Sequence, residues 1–397
     1  MDTQAFIRQH REDDIHRLAL TLPQGENARF ILRQIEGWQR LRHKVPTWAE
    51  TDDLRYPVRL SLEQCSGEEA AKYKQAIVHR VLPEGGAFAD LTGGFGVDFA
   101  FMAQHFKRAV YVERDTELCA LARHNMPLVG ANHTEVVQAE AEVFLRTPQA
   151  AGRWSLIFLD PARRDSRGRK VSALSDCSPD VATLWPVLTE KADHVMLKLS
   201  PMLDITEALR LLAGIAEIHV IGSSGECKEL LLLSTPSPTL EPTVFCHDST
   251  FDFSFLRSEE QAANPVYAAA LAQYLYDPAP VVLKAGALRL CATRYGLQKL
   301  APHTHLYTSD RLRTDFPGRI FRILRTTGCS KRDIASLKNT RANLTLRNFP
   351  DTVETLRKKW HLYEGGNLFL FACRNADQAT PGLFNAKTLI QAKRIQP

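Results

Sequence analysis

Four acidic side chains in the first half of the sequence follow successive predicted strands. They are Asp90, Glu113, Glu140 and Asp160, and each lies at or just after the end of a predicted strand. Successive acids are about one strand–helix unit apart, so parallel strands would carry all four to the same carboxyl edge of a sheet. There, an acid that ends the second strand can accept from ribose hydroxyls, and one that follows the third strand can accept from an adenine amine.

A glycine-rich turn follows the first of these acids within the stretch FADLTGGFGVDFAF, residues 88–101. Its glycines are Gly93, Gly94 and Gly96. Without a Cβ, such a turn lets the backbone approach a ligand closely. The third glycine of the dinucleotide pattern G-x-G-x-x-G is missing, and Asp98 at the start of the next helix would repel a diphosphate. S-adenosylmethionine fits better because Asp90 can face its ammonium and sulfonium; a glycine turn without any ligand is the alternative.

Short predicted strands alternate with helix-length segments between residues 87 and 221. The strands are expected at 87–91, 109–113, 134–138, 155–160, 194–199 and 217–221. This alternation indicates an α/β fold with a parallel sheet and helices on both of its faces. The apolar segment 228–234 follows the last strand closely enough to predict an antiparallel hairpin at the edge of the sheet.

The rest of the chain is expected to form separate segments around this sheet. Ile31, Ile35 and Trp38 recur at helical spacing, which predicts a helical N-terminal segment. Ser66 opens a capping-box pattern for a helix to about residue 80, and QAANPVYAAALAQYLY is also predicted to be helical. The predicted division is a helical segment at 1–60, an α/β domain at 61–240, a connecting segment at 241–280 and a small α+β module at 281–397.

The charge of the chain is divided unevenly between its two ends. Residues 281–397 contain 21 Lys and Arg against 7 Asp and Glu, a balance of +14, whereas the whole chain carries +5. Residues 1–280 therefore carry −9. A basic module joined to an acidic one suggests a polyanionic partner for the basic part, and nucleic acid is the first candidate. The alternative is a basic surface that serves only solubility.

Several classes of protein are disfavoured by composition. No run of about 18 apolar residues exists, so no membrane span is expected. The N-terminus is charged throughout and lacks a signal-peptide core. The eight cysteines form no CxxC pair, which argues against a zinc site or a disulfide framework and is typical of a reduced, cytoplasmic protein. We therefore expect a cytoplasmic protein without a bound metal.

The motifs of residues 60–240 together resemble those of the class I S-adenosylmethionine-dependent methyltransferases. Their first motif resembles Asp90-Leu-Thr-Gly-Gly-Phe-Gly, their second Tyr111-Val-Glu113, and their acidic motif near adenine Ala139-Glu140-Ala141. Their fourth, catalytic motif corresponds to Leu159-Asp160-Pro161-Ala162-Arg163. The resemblance implies that the three glycines approach the methionine part, that Glu113 binds the ribose and Glu140 the adenine, and that Asp160 and Pro161 belong to the catalytic site.

The whole chain is similar to a narrower group, the bacterial methyltransferases with a C-terminal THUMP-like domain. The resembling stretches are SLEQCSGEEAAKYK, LDPARR and YLYDPAPVVLKAGALRLCATRYGLQKLAPHTHLYTSD. The resemblance implies a Rossmann-like methyltransferase sheet, followed by a small ferredoxin-like unit and the THUMP-like module. True THUMP domains bind RNA and usually precede the methyltransferase domain, whereas here the module follows it.

The fourth motif departs from the pattern of many base N-methyltransferases. It lacks the second proline and the aromatic residue that stacks the target base, so Arg163 or Arg164 is the candidate for stacking and substrate binding. Asp160 is predicted to accept a proton or to orient a nucleophilic nitrogen. The basic loop ARRDSRGRK, residues 162–170, is suited to meet a phosphate backbone. Lys198 has two open interpretations, a contact with a phosphate or base carbonyl and a snorkelling surface lysine.

These patterns predict a methyltransferase that modifies a base of tRNA or rRNA. Two other classes stay open. The first is a methyltransferase that acts on a protein or a small molecule. The second is a non-catalytic RNA-binding protein with a relic cofactor pocket, an alternative that the missing aromatic residue keeps open.

Overall fold

The computed structural model describes residues 3–23, 25–163, 174, 177–237, 239–374 and 387–395. The chain divides into two compact units. One comprises Met1–Ile218 with Glu229–Leu240, and the other His219–Lys228 with Glu241–Pro397. None of the described helices is both long enough and apolar enough to cross a membrane.

Helices occupy the N-terminal part of the first unit. They are α1 (Thr3–His10), α2 (Ile15–Thr21), α3 (Glu26–Lys44), α4 (Pro46–Ala49), α5 (Arg59–Gln64) and α6 (Glu68–Val81). Ile7, Leu18, Ile31 and Ile35 form a small buried core between the first three. Helix α6 begins where the sequence predicts, but its N-cap is Gly67 and no side chain caps it. The predicted capping box is therefore wrong, because Ser66 makes its hydrogen bonds elsewhere.

A nine-stranded sheet follows, with its parallel strands separated by helices. The strands are β1 (Ala87–Asp90), β2 (Arg108–Glu113), β3 (Thr134–Gln138), β4 (Trp154–Leu159), β7 (Ala192–Leu199), β8 (Ile215–Ser223), β9 (Glu226–Ser234), β10 (Thr243–Asp248) and β11 (Phe251–Leu256). The intervening helices are α7 (Val97–Ala103), α8 (Thr116–Leu128), α9 (Ala141–Phe144), α10 (Val181–Lys191) and α11 (Ile205–Leu211). A separate pair of two-residue strands, β5 (Ala162–Arg163) and β6 (Cys177–Ser178), lies between β4 and α10 in the chain.

The strand order explains how the acidic residues come together. It runs β11-β10-β8-β9-β7-β4-β1-β2-β3. The pairs β3–β2, β2–β1, β1–β4 and β4–β7 are parallel, and β9 is antiparallel to β7. The α/β fold predicted from the alternation of strands and helices is confirmed, with the carboxyl ends of β1, β2, β3 and β4 at one edge.

The predicted hairpin exists, but it does not end the sheet. Its turn is Ser224-Gly225, and both residues have positive φ (55° and 76°), the backbone of a tight two-residue hairpin. Strands β10 and β11 continue the sheet beyond β8. The prediction that this hairpin lies at the edge of the sheet is therefore wrong. A second, short hairpin, formed by β10 and β11, follows the Pro- and Ser-rich passage and extends the sheet beyond β8.

The predicted helix at 261–276 is also wrong. Helix α12 (Arg257–Ala262) ends just before Asn264, and Pro265 disfavours helical backbone in the residue that precedes it. The end of the segment is instead strand β12 (Tyr274–Pro278), which pairs with strands on both sides. The segment 241–280 thus contains strands of both large sheets. Pairing with distant strands overrides the helix propensity of its alanines.

The second unit contains a seven-stranded sheet with an apolar cluster on each face. Its strands are β12, β13 (Gln298–Ala301), β14 (Thr304–Ser309), β15 (Gly318–Gly328), β16 (Arg341–Arg347), β17 (Tyr363–Cys373) and β18 (Thr388–Arg394), in the order β13-β14-β12-β15-β18-β17-β16. Besides α12, the described α-helices of this unit are α13 (Pro280–Ala285), α14 (Leu290–Tyr295), α15 (Lys331–Ile334) and α16 (Val353–Trp360). Phe321, Phe371 and Ile390 belong to one cluster, and Leu370 and Leu389 belong to the other.

Candidate cofactor and active site

The glycine turn after β1 packs tightly on one side and is open on the other. A Cβ on Gly93 would lie 2.2 Å from the ring of Tyr111, so this residue has to be glycine for the turn to rest on β2. Gly94 and Gly96 have φ of +57° and +87°, a backbone region that favours glycine. The nearest atom to a Cβ on Gly94 would be the Thr92 carbonyl at 3.7 Å. A ligand can therefore approach the backbone of Gly94.

The carboxylate of Glu113, at the end of β2, is held by three backbone amides. Oε2 accepts from the N–H of Gly94 at 2.9 Å, and Oε1 accepts from those of Arg114 and Asp115 at 2.8 and 2.9 Å. A carboxylate has about four acceptor positions, so one remains, on Oε2. Glu113 is half-buried beside the open side of the turn, and this position is suited to a ligand hydroxyl.

Asp90 and Thr92 connect the ends of β1 and β4. Asp90 is buried, and its Oδ1 accepts from the amide of Thr92 at 2.9 Å. The amide of Asp160 donates to the Thr92 hydroxyl at 2.6 Å. Burial raises the pKa of Asp90 well above its usual range; the Thr92 amide opposes this shift, and the neighbouring carboxylates add to it. A cationic ligand group at this edge would favour the ionised form of Asp90.

Glu140 lies at the same edge, but its side chain is not fixed by hydrogen bonds to other described residues. It is the N-cap residue of α9, two residues after the end of β3, and its side chain makes no cap hydrogen bond. The residue is exposed, and its side chain has no hydrogen-bond partner among the described residues. Glu140 therefore lies at the expected edge, while its contact with adenine stays a prediction.

Asp160 forms an ion pair with Lys198 where β4 and β7 end side by side. Nζ of Lys198 donates to Oδ2 of Asp160 at 2.7 Å. The Asp160 side chain is 39% exposed, whereas that of Lys198 is only 9% exposed. Desolvation raises the pKa of Asp160, and Lys198 opposes this shift. Pro161 follows in the loop and is half-buried.

Lys198 belongs to a buried polar cluster that also contains Ser66, Lys74, Asp98 and Glu229. The Ser66 hydroxyl lies 2.6 Å from Asp98 Oδ2 and 2.9 Å from Glu229 Oε1, and it accepts from Lys74 and Lys198 at 3.0 and 2.9 Å. Lys74, which is fully buried, also pairs with Asp98 at 2.8 Å and with Glu229 at 2.5 Å. Five different segments thus supply one compensated charge cluster.

The structure changes the interpretation of Asp98. Its carboxylate is buried in the cluster, where desolvation opposes ionisation but Lys74 and Lys198 lower its pKa to about 2. Its charge is therefore compensated. The expectation that Asp98 would repel a diphosphate is wrong, and the preference for S-adenosylmethionine rests on the other residues of the edge.

Three members of the cluster are absent from the sequence-based prediction. Lys74 lies on the buried face of α6 between Ala71 and Ile77, and Glu229 precedes the apolar run of β9. Lys74 and Glu229 could have been found from the sequence, because they place opposite charges at positions where the hydrophobic pattern of a helix or strand requires apolar residues. Ser66 offered no such signal, because its position suits a helix cap equally well.

The predicted substrate-binding arginines lie next to this site in the chain. Arg163 is the second residue of β5, and its Cα is paired with that of Cys177 in β6. The Arg163 side chain and the whole of Arg164 lie outside the described residues. Their contact with substrate stays a prediction.

Comparisons with known proteins show to which family the chain belongs. Residues 274–317 match the model of a ferredoxin-like domain and residues 318–383 that of a THUMP domain-like family. A protein from Porphyromonas gingivalis W83 named as a candidate methyltransferase is 31% identical, with a TM-score of 0.84 over 99% of this chain and 98% of that one. The chain belongs to this family of S-adenosylmethionine-dependent methyltransferases with a C-terminal THUMP-like domain.

Relatives among curated proteins support the same membership. Proteins from two strains of Mycobacterium tuberculosis, named as uncharacterized S-adenosylmethionine-dependent methyltransferases, are 27% identical over 272 residues, which is 68% of each chain. In this methyltransferase, the ferredoxin-like and THUMP-like matches both fall on the seven-stranded sheet. The ferredoxin-like match begins at residue 274, which is also the first residue of β12.

The residues of the edge fit S-adenosylmethionine. Gly94 leaves space for close approach of a ligand to the backbone, and Glu113 keeps one acceptor position for a ribose hydroxyl. Asp90 supplies a buried carboxylate for a cationic group. Among the described residues, no group of His, Cys, Asp and Glu is arranged to hold a metal ion.

Proposed function

We propose that this methyltransferase modifies a nitrogen of a base in tRNA or rRNA. The observation that carries the RNA assignment is the balance of +14 in residues 281–397, which coincides with the ferredoxin-like and THUMP-like matches. A polyanion is the partner that such a charge distribution favours. The geometry around Asp160 supports a nitrogen as the acceptor.

Asp160 is the residue at this edge that is best placed to act on the acceptor. Lys198 occupies Oδ2, and Oδ1 has no hydrogen-bond partner among the described residues. An exocyclic amine or ring N–H of a base can donate to Oδ1, which would orient its nitrogen and receive the proton that methylation releases. S-adenosylmethionine supplies the methyl group on a positively charged sulfur, so positioning is the main task of the protein.

The cofactor-facing residues have separate roles in this proposal. The glycine turn and Glu113 fix the nucleoside and methionine parts against β1 and β2. Glu140 accepts from the adenine amine. Pro161 shapes the loop that follows Asp160, and Arg163 or Arg164 stacks on the target base in place of the missing aromatic ring.

The test is methyl transfer from labelled S-adenosylmethionine to total RNA from a strain that lacks the gene. We expect label to be transferred to RNA and to be released when the RNA is digested with nuclease. Mass spectrometry of nucleosides should reveal one methylated base that is absent from the deletion strain. RNA from a complemented strain is the matched control and should accept little label. Label that resists nuclease and follows protein or small molecules would refute the RNA assignment. RNA binding without any turnover would indicate a relic site.

A further inference from the structure

One face of the seven-stranded sheet carries exposed basic residues beside its helix-covered part. Strand β15 lies between β12 and β18, and its Arg322 is directly opposite Tyr274 on one side and Lys393 on the other. Directly opposed residues in antiparallel strands point to the same face. Arg322 and Lys393 are exposed and Tyr274 is half-buried. The three side chains therefore form a row across three adjacent strands.

A β-bulge adds a fourth cation to this face. The register of β15 against β18 shifts between Ile323 and Arg325, so Leu324 is the extra residue and is 58% exposed. Beyond the bulge, Arg325 is opposite Gln391, two residues from Lys393 along β18. Bulges redirect side chains and are frequent at functional sites. This bulge places two arginines of β15 on the same face.

The charges of this row are not compensated within the described residues. Arg322 and Lys393 form no ion pair or hydrogen bond there. Like charges directly opposite each other destabilise a pair of strands. Arg325 interacts electrostatically with Asp333, but that carboxylate already accepts from the amide and hydroxyl of Ser330. The arrangement costs stability in the free protein, and an anionic partner would offset that cost.

The side-chain amide of Gln391 is a further indication of an anionic ligand at this face. Its Nε2 is buried and has no hydrogen-bond partner among the described residues. Buried polar groups are normally satisfied, so each exception calls for an explanation. Nε2 of Gln391 lies on the strand face that carries Arg325 and Lys393. It can donate to a phosphate oxygen once the surrounding side chains adjust to a ligand.

We propose that this face, defined by Tyr274, Arg322, Arg325, Gln391 and Lys393, is the surface on which the methyltransferase holds its RNA. The cations contact backbone phosphates, and the ring of Tyr274 is available for stacking with an unpaired base. The inference rests on the proposed function and deepens it, because it assigns RNA affinity to one surface of the second unit. A row of cations beside an aromatic ring fits a single-stranded segment or loop.

The experiment measures binding of the full-length protein to bulk tRNA from the deletion strain over a range of salt concentrations. The test variant is Arg322→Gln/Lys393→Gln. The control is Arg311→Gln/Lys358→Gln, which removes the same two charges from exposed positions of the same unit that are not among the five residues of this surface. We expect about tenfold weaker binding for the test variant, and a log–log salt slope that is smaller by about 1.4 for two lost phosphate contacts. The control should stay within twofold of the wild type.

A second variant tests the aromatic position. Tyr274→Phe should bind as the wild type does, whereas Tyr274→Leu should lose about tenfold in affinity with an unchanged salt slope, because stacking is not ionic. Unfolding midpoints close to that of the wild type show that each variant is folded.

Three outcomes would overturn the inference. If the test and control variants bind tRNA equally, the face is not the RNA surface, while nuclease-sensitive methyl transfer would leave the proposed function intact. If the wild type neither binds nor methylates RNA, both fail. If polyglutamate of matched charge competes with tRNA at equal charge concentration, the face binds an acidic protein instead.

Discussion

Nζ of Lys198 lies 2.7 Å from Oδ2 of Asp160, and the two residues lie at the carboxyl ends of adjacent parallel strands. This pair links the proposed catalytic carboxylate to the buried cluster of Ser66, Lys74, Asp98 and Glu229. Because Nζ of Lys198 also binds Ser66 and Asp98 in the buried cluster, the lysine holds Asp160 in one orientation. We regard Lys198 as a positioning residue, since it acts through Asp160.

Replacing Lys198 should change the pH dependence of methyl transfer. Burial raises the pKa of Asp160 and Lys198 opposes this, so Lys198→Met should raise the pKa further. If the reaction needs the carboxylate, activity is lost as pH falls through this pKa, and the acid limb of kcat/KM should therefore move to higher pH. Lys198→Arg should keep the limb close to its wild-type position. An unchanged limb in a folded Lys198→Met protein would contradict this role for the lysine.

Lys74 should be a major contributor to stability. It is fully buried and pairs with Asp98 and Glu229, so Lys74→Met leaves two buried carboxylates with less compensation. Breaking a buried ion pair costs about 3–5 kcal/mol in free energy of unfolding, which urea denaturation can measure. Lys72→Met is the matched control. Its side chain is 56% exposed and pairs with Glu68, so a loss of no more than ~1 kcal/mol is expected. Equal losses in the two variants would show that the cluster does not stabilise the fold.

Glu113→Ala should weaken binding of S-adenosylmethionine and S-adenosylhomocysteine. The carboxylate keeps one acceptor position for a ribose hydroxyl, and a hydrogen bond to a charged group contributes about 1.5–3 kcal/mol. Calorimetry should therefore show a loss of at least tenfold in affinity. Glu117→Ala changes an exposed acid on α8 and should bind normally. Wild-type protein that binds NADH but not S-adenosylmethionine would overturn the assignment of the cofactor residues.

Gly94→Ala should reduce the free energy of cofactor binding more than it reduces the free energy of unfolding. Its positive φ makes alanine unfavourable by ~1–2 kcal/mol, while the added methyl group would occupy the open side of the turn. Gly214→Ala is the control, because Gly214 also has positive φ (+79°) and no atom within 4 Å of a Cβ. We expect similar unfolding energies for the two variants and normal cofactor binding in Gly214→Ala only. Normal binding by both would place the cofactor away from this turn.

Local patterns were sufficient for the framework of the site. The alternation of short apolar strands with helices, and the position of Asp90, Glu113, Glu140 and Asp160 after successive strands, predicted both the parallel sheet and the edge where these acids lie. Strands β1 to β4 occur along the chain where they are predicted, and they are neighbours in the sheet. This information is local because the end of each strand and the turn that follows it are encoded within a few residues.

Some local signals were misleading because distant partners decided the outcome. The alanine-rich segment before Pro278 favours a helix by propensity, yet β12 forms because β14 and β15 pair with it on both sides. Ser66 has the sequence context of a helix cap, but its hydroxyl is used by Asp98 and Glu229. Propensity differences are fractions of a kcal/mol per residue, and pairing and burial outweigh them.

The sequence by itself determined the fold class, the sheet edge that carries the four acids and the basic character of the C-terminal module, because periodicity, glycine turns and composition are properties of short segments. Only the tertiary structure decided that Lys198 faces Asp160 and that Lys74 and Glu229 complete a buried cluster. It also decided that Arg322 and Lys393 oppose each other across two strands far apart in the chain. Such contacts depend on strand order and register, which are set by the packing of the whole unit and leave no trace in the spacing of neighbouring residues.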